Sequence, residues 1–188
     1  MRQLRHSRHS LMKTRDKILL IINIIFLVLF LIPVRYLDLY KENYSTLSLN
    51  TRGYLYLLFL GIFAGMILGY ETYVISNRKR AFIIFISVLM GTIIPHHYPY
   101  DLQGNFHLFL ANLGFILLIA TVFINIWYSY DSRILTFFVL SLLASLVFYL
   151  RYAMVNTISE IIIMSSCLMI SYYLYLKRSA HCNVTNLM

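Results

Sequence analysis

Residues 95–107 read PHHYPYDLQGNFH and concentrate side chains that can bind a metal or transfer a proton. The stretch holds His96, His97 and His107, half of the six histidines in the chain, together with Asp101. Imidazole and carboxylate groups are zinc ligands, and a bound zinc lowers the pKa of its water to about 7. A metal site formed by His96, His97, Asp101 and His107 is therefore one interpretation of the stretch.

Three other interpretations stay open. A haem between His97 and His107 is a variant of the metal site, because histidine is a haem axial ligand. Histidine, arginine and tyrosine together also suit a phosphate or sugar headgroup at a lipid surface. Finally, the polar residues can simply cap helix ends, with Asp101 or Asn105 as the cap of the next helix. The chain contains no HxxxH or HExxH pair, so we expect no bound cofactor, with zinc or haem as alternatives.

The sequence around this stretch is apolar enough for a membrane. Of the 188 residues, 60% are hydrophobic and 12% are charged, whereas soluble domains carry about 25% charged residues. The apolar runs are continuous, which excludes the alternating pattern of a membrane β-barrel. We predict an all-α, polytopic transmembrane bundle of six helices as one domain, 18–176, between a basic tail (1–17) and a short tail (177–188). The predicted spans are 18–34, 54–75, 81–95, 107–128, 134–150 and 157–176.

Basic residues predict the orientation of the bundle, because cytoplasmic loops are enriched in lysine and arginine. They occur in the N-terminal tail, in the links SNRKR and YDSR, and in the C-terminal KRSAH. With six spans these four segments fall on one side, so both termini are predicted to be cytoplasmic. No small-residue cleavage pattern follows the first apolar run, which predicts an uncleaved first span. The net charge of +9 does not indicate nucleic-acid binding, because no continuous basic face can form.

This topology places the histidine-rich loop at the outer face. The end of span five and the start of span six bring Arg151 and Glu160 to the same face. A carboxylate within a membrane is costly unless it is paired, so Arg151 is the predicted partner of Glu160. We therefore predict an outward-facing polar pocket that binds a ligand. Its candidate residues are His96, His97, Asp101, Asn105, His107, Arg151 and Glu160.

Span two carries a ladder of small residues and one carboxylate. Gly61, Gly65 and Gly69 have the spacing GxxxGxxxG, which lets another helix approach closely. Packing within the bundle is the expected use of this stripe, and a homodimer contact is the alternative. Glu71 lies near the inner end of the span, and a proton relay is an alternative to simple pairing. Its predicted partners are Arg78, Lys79 and Arg80.

Residues 95–115 contain a pattern of residues in and before an apolar helix: Asp101, Gly104, Asn105, His107, Ala111 and Phe115. This pattern resembles the junction between the third and fourth helices of a bacterial family of six-helix membrane proteins. That family is related to the DRAM-like and Sfk-like membrane proteins. The resemblance implies a lipid-associated or regulatory membrane protein, with His107 as the position carried over.

We expect a bundle without catalytic activity that binds a lipid or small ligand, or that serves as a subunit or regulator of a membrane complex. Its expected partners are membrane lipids and another membrane protein or a second copy. One alternative is a metal-dependent hydrolase of lipid headgroups, similar to the alkaline ceramidases, although this chain has six predicted spans, not seven, and lacks their late HxxxH. Another, resting on size alone, is the substrate-binding subunit of a vitamin transporter. The abundance of Ile, Asn and Tyr suggests an AT-rich genome. We expect a multi-pass protein of a bacterial plasma membrane.

Overall fold

A computed structural model describes residues 14–95, 102–152 and 155–185, with side chains as far as Ala180. Over these residues the chain is helical and contains no β-strand, as predicted. Two short 3-10 segments, Ile32–Arg35 and Tyr44–Leu49, lie between the first two α-helices. The α-helices are α1 (Thr14–Leu31), α2 (Thr51–Ile75), α3 (Arg78–Met90), α4 (Leu102–Ser129), α5 (Ser132–Tyr152) and α6 (Thr157–Thr185).

Within the described residues, five helical segments are long and apolar enough to cross a membrane, which needs about 20 residues. They fit an integral membrane protein, the class that the composition predicts. Side chains on α1 and α5 such as Ile24, Val28, Leu140 and Val147 are exposed at the surface of the bundle, where acyl chains are their natural contact. The five segments are Thr14–Arg35, Thr51–Ile75, Leu102–Ser129, Ser132–Tyr152 and Thr157–Ala180.

Helix α3 differs from the predicted span 81–95 at both ends. It begins three residues earlier, because the side chain of Asn77 accepts a hydrogen bond from the Arg80 amide at 2.9 Å. It ends at Met90, where the chain turns through Gly91 towards Pro95. With 13 residues it is about 20 Å long, which is less than the thickness of a hydrocarbon core.

Helix α3 and the turn that follows it nevertheless run beside α2 for most of the length of α2. The Tyr54 hydroxyl, near the start of α2, donates to the Ile93 carbonyl at 2.7 Å. The glycine stripe of α2 lies against α3, so close that a Cβ on Gly61 would stand 2.4 Å from the Thr92 hydroxyl oxygen. Helices in lipid gain little from burying apolar surface, so such close backbone contact matters for packing. The contacting pairs are Gly69 with Ala81, Gly65 with Phe85, and Gly61 with Thr92.

The start of α1 and the end of α6 lie side by side. The Tyr175 hydroxyl donates to the Asp16 carboxylate at 2.7 Å, and the Arg15 Nε donates to the Tyr175 oxygen at 3.0 Å. Lys177 reaches Asp131, between α4 and α5, at 3.1 Å. We call this the basic end of the bundle, formed by residues 14–17, 76–80, 128–133 and 175–180. The opposite end of the bundle, where residues 38–49 lie, we call the cap end.

Candidate functional site

Residues 38–49 form a segment across the cap end, which we call the cap. Asn43 starts its 3-10 helix: the Asn43 side chain accepts from the Thr46 amide, and the Thr46 hydroxyl accepts from the Asn43 amide. Helix α2, which follows the cap in sequence, also begins at an asparagine: the Asn50 side chain accepts a hydrogen bond from the Gly53 amide at 2.7 Å. The structure of this segment was not predicted from the sequence, although asparagine is a favoured N-cap residue.

His107 joins α4 to the cap. Its side chain is buried, with 1% of its surface exposed. The Nδ1 atom lies 2.7 Å from the Ile94 carbonyl and Nε2 lies 3.1 Å from the Ser45 hydroxyl. A carbonyl only accepts, so Nδ1 carries the hydrogen and Nε2 accepts from Ser45, as in a neutral imidazole. A metal bound through either nitrogen would have to replace one of these hydrogen bonds.

Glu160 joins α6 to the cap as well. Its carboxylate accepts from the Tyr44 amide at 2.7 Å, while the Tyr44 hydroxyl donates to the Phe30 carbonyl at the end of α1. Burial raises the pKa of the Tyr44 hydroxyl, so it remains a donor at physiological pH. The predicted ion pair with Arg151 is wrong, because Arg151 is exposed and lies over the Tyr152 ring instead. The cap offers a backbone donor that the sequence did not reveal.

The start of α6 is held to the cap by further bonds. The Thr157 amide and hydroxyl both donate to the Glu42 carbonyl, at 2.7 and 2.8 Å. Asn156 precedes the helix, and its side chain accepts from the Ser159 amide at 3.0 Å. The cap therefore contacts α1, α4 and α6 and closes the bundle at this end.

The predicted outer pocket is only partly brought together. His107 binds the cap through Nε2 and Glu160 binds it through one carboxylate oxygen, while the other ring nitrogen of His107 bonds with the Ile94 carbonyl. Asn105 is exposed inside the first turn of α4, which begins at Leu102, so it does not cap that helix. In the described part of the chain, no group of three or more His, Cys, Asp or Glu side chains could hold a metal ion. The remaining candidates, His96, His97 and Asp101, lie outside the described residues.

A second polar group is buried towards the basic end. Glu71 is fully buried, and its Oε1 accepts from the Asn23 Nδ2 of α1 at 2.8 Å. The same Nδ2 donates to the Leu19 carbonyl at 3.0 Å. The predicted pairing of Glu71 with Arg78, Lys79 or Arg80 is wrong, because Glu71 faces α1 and not the first turn of α3. In the sequence, the only sign of this pair is that Asn23 and Glu71 are polar residues within apolar spans.

Several buried polar atoms near this pair have no hydrogen-bond partner among the residues that the structure describes. They include the second carboxylate oxygen of Glu71, the Asn23 Oδ1 and the Thr72 hydroxyl, all on the α1–α2 side. Both side-chain atoms of Asn125, on α4, are also unpartnered. Buried polar groups in proteins are almost always paired, so each of these atoms calls for a partner such as a bound water, an ion or a proton.

A shallow depression of about 500 Å³ opens at the basic end. Asp131 lies in it and accepts from Lys177 and from the Tyr173 hydroxyl, each at 3.1 Å. The hydrogen bond from Lys177 holds the pKa of Asp131 below its ordinary value. Its lining residues are Tyr130, Asp131, Ser132, Arg133, Ile134 and Tyr173.

Comparison with known protein families, curated proteins and solved structures finds no match to this chain. The resemblance of residues 95–115 to the DRAM-like and Sfk-like group therefore stays a prediction.

Proposed function

We propose that the protein crosses the membrane six times, keeps both termini in the cytoplasm, and binds anionic lipid headgroups at its basic end. The observation that carries this proposal is the bond between Tyr175 and Asp16, which puts the C-terminal half of α6 beside the start of α1. An odd number of crossings would separate these two residues by about 30 Å of hydrocarbon. Six crossings require α3 and the turn after it to count as a crossing, and the contact of Tyr54 with Ile93 supports this.

The charge distribution supports the same orientation. Of the twelve lysines and arginines among the described residues, four lie towards the cap end: Arg35, Lys41, Arg52 and Arg151. The other eight lie at the basic end, and a further four precede α1 in the sequence. The cytoplasmic leaflet carries anionic lipids, and each basic residue near its surface contributes about 1 kcal/mol of attraction. A bacterial plasma membrane, rich in such lipids, is the location we propose.

The cap end has a structural role in this account. Both ring nitrogens of His107 and one carboxylate oxygen of Glu160, which a ligand or metal would need, already bond with protein groups. We therefore assign lipid binding to the basic end, and assign the cap the role of closing the bundle against water. The partners that follow are phospholipids with a net negative headgroup.

Lipid titration followed by native mass spectrometry tests this proposal. Purified protein should retain phosphatidylglycerol in preference to phosphatidylcholine. The double variant Arg78→Gln, Lys79→Gln removes two exposed charges from the basic end and should weaken phosphatidylglycerol binding by about 30-fold, or about 2 kcal/mol, at low salt. The matched variant Arg52→Gln, Arg151→Gln, at the cap end, should have a much smaller effect. Equal binding of both lipids, or equal losses in both variants, would contradict the proposal.

A further inference from the structure

Glu71 is an intramembrane carboxyl that the lipid-binding role does not use. It lies four residues before the end of α2, about 6 Å inside the basic end of the helix. Its side chain is fully buried between α2 and α1. Ionisable residues at such positions are costly and mark functional sites in membrane proteins.

Two hydrogen-bond acceptors at the Glu71 site have no donor among the residues that the structure describes. Both hydrogens of the Asn23 amide are used, one by Glu71 Oε1 and one by the Leu19 carbonyl, which fixes the orientation of the amide. The Asn23 oxygen and Glu71 Oε2 are both acceptors in the ionised state, and neither has a partner in the described part of the chain. A protonated carboxyl has the missing O–H group. The Thr72 hydroxyl on the same helix is fully buried and can donate or accept, but it has no partner in the described residues and so supplies neither oxygen with a hydrogen.

We propose that Glu71 is a proton-binding site that exchanges its proton with water at the basic end of the bundle. In the resting protein the carboxyl is neutral, with the proton on Oε2. On release, the O–H bond breaks, the carboxylate keeps the electron pair, and the proton passes to the aqueous side of the basic end. This inference uses the insertion of the bundle into a membrane and is independent of lipid binding.

Three helices pack against α2, and their charged and titratable groups define the route to Glu71. From α1 come Arg15 and Asp16, about two turns nearer the basic end than Asn23. From α6 come Tyr175 and Tyr172, whose hydroxyls donate to the Asp16 carboxylate and to its carbonyl at 2.7 and 3.1 Å. The first turn of α3 contributes Arg78, Lys79 and Arg80, and Arg80 lies over the Tyr128 ring at 4.8 Å.

These groups form a polar path from the aqueous phase. Arg15 is more than half exposed and donates to the Tyr175 oxygen at 3.0 Å. Tyr175 in turn donates to the Asp16 carboxylate. Of the two carboxyl groups, Asp16 and Glu71, Asp16 lies nearer the basic end. The Tyr172 hydroxyl, which donates to the Asp16 carbonyl at 3.1 Å, lies about one turn of α6 nearer the middle of the bundle than Tyr175. The path therefore leads from the basic end, and no equivalent path from the cap end is seen among the described residues.

Labelling with dicyclohexylcarbodiimide tests this inference, because this apolar reagent adds only to protonated carboxyls. The full-length protein is reconstituted into vesicles, labelled, and digested, and the adduct is located by mass spectrometry. We expect an adduct on Glu71 near neutral pH, absent in Glu71→Gln and unchanged in Glu160→Gln, which removes the buried carboxyl of the cap end. The labelling rate should follow the pH on the side of the basic end alone. It should fall about tenfold for each pH unit once the carboxyl ionises.

Several outcomes would overturn the inference, and none depends on a variant that might misfold. Wild-type Glu71 that stays unlabelled near neutral pH would mean that the carboxyl is ionised. Protection of Glu71 by sodium chloride, but not by choline chloride, would identify a sodium site instead of a proton site. A labelling rate that follows the pH at the cap end would refute the proposed route. Lipid binding is measured separately, so it can fail while this inference stands, or the reverse.

Discussion

At the scale of single residues, polar side chains inside the helices serve to join helices. His107 bonds with the Ile94 carbonyl and with Ser45 of the cap, and Glu160 accepts from Tyr44 of the cap. Asn23 and Glu71 link α1 to α2. Each of these bonds lies where water is scarce, so losing one partner leaves the other without a substitute.

Replacing His107 by alanine should destabilise the protein by about 1–3 kcal/mol, because the Ile94 carbonyl and the Ser45 hydroxyl lose a buried partner. The exposed neighbour Asn105, replaced by alanine in the same helical turn, should change stability by no more than about 0.5 kcal/mol. Thermal or denaturant unfolding in detergent measures both. Equal stability of the two variants would show that the His107 bonds do not support the cap.

The same His107→Ala variant separates the structural role from the metal interpretation. Both ring nitrogens already bind protein groups, so we expect elemental analysis to find the same metal content in wild-type and variant protein. Near-stoichiometric zinc or iron that disappears with His107 would contradict this expectation. It would return the loop 95–107 to the role of a metal site.

Asp131 predicts a pH dependence at the basic end. Its pKa is held below the ordinary value by Lys177, so the contact stabilises the fold above the pKa of the unfolded state, about 3.9. This stabilisation is lost as the pH falls through the lower, folded-state pKa. Asp131→Asn should therefore be less stable than wild type at neutral pH, and the difference should shrink towards about pH 3. A difference that stays constant with pH would contradict the assignment, and Lys177→Met should reproduce the loss.

The identity of these partners could not be predicted from the sequence. The intramembrane positions of Glu71 and Glu160 were apparent from their apolar surroundings, and the cost of an unpaired carboxylate predicted that each needs a partner. Which partner it finds depends on the rotation of each helix and on the cap. Glu160 meets a backbone amide and Glu71 meets a neutral side chain, whereas charge alone favoured arginine or lysine in both cases.

At the scale of the elements, hydropathy predicts the helices well and their ends less well. The five long helices appear where continuous apolar runs predicted them. Helix α3 shows the limit, because Asn77 starts it before its apolar run begins and the turn at Gly91 ends it before the run is over. Glycine on both flanking helices then holds α3 in place: Gly65 of α2 contacts Phe85, and Gly114 of α4 lies under Ser87.

Gly114→Ala should weaken the packing of α3 against α4. A Cβ at this position would stand 2.3 Å from the Ser87 carbonyl oxygen, so the backbones must separate. Overpacking of this kind costs about 1–3 kcal/mol. The matched change Gly91→Ala places its Cβ no closer than 3.7 Å to the Val88 carbonyl oxygen, and should stay within about 0.5 kcal/mol of wild type. Unfolding measurements that rank the two variants in the opposite order would refute this packing.

At the scale of the whole molecule, the ends of the six helices separate two chemically different surfaces. The basic end collects Arg15, Lys17, Arg133, Lys177 and the SNRKR link, while the cap end is closed by residues 38–49. The positions of lysine and arginine in the sequence predicted this difference in charge between the two ends. The cap was not predicted, because its bonds to α1, α4 and α6 join residues far apart in the chain.

The measurement that tests the account most directly is the sidedness of the two termini and the cap end. Three single-cysteine proteins are prepared, all with Cys167→Ala. The first keeps the native Cys182. The other two carry Cys182→Ser together with either Ser7→Cys or Tyr36→Cys. Each is exposed in intact bacterial cells to a thiol reagent that cannot cross the membrane. We predict that Tyr36→Cys, 78% of whose native side chain is exposed, reacts at once, and that the two terminal thiols react only after permeabilisation. Reaction of Cys182 in intact cells, with Ser7→Cys protected, would put the termini on opposite sides and contradict the six-crossing account.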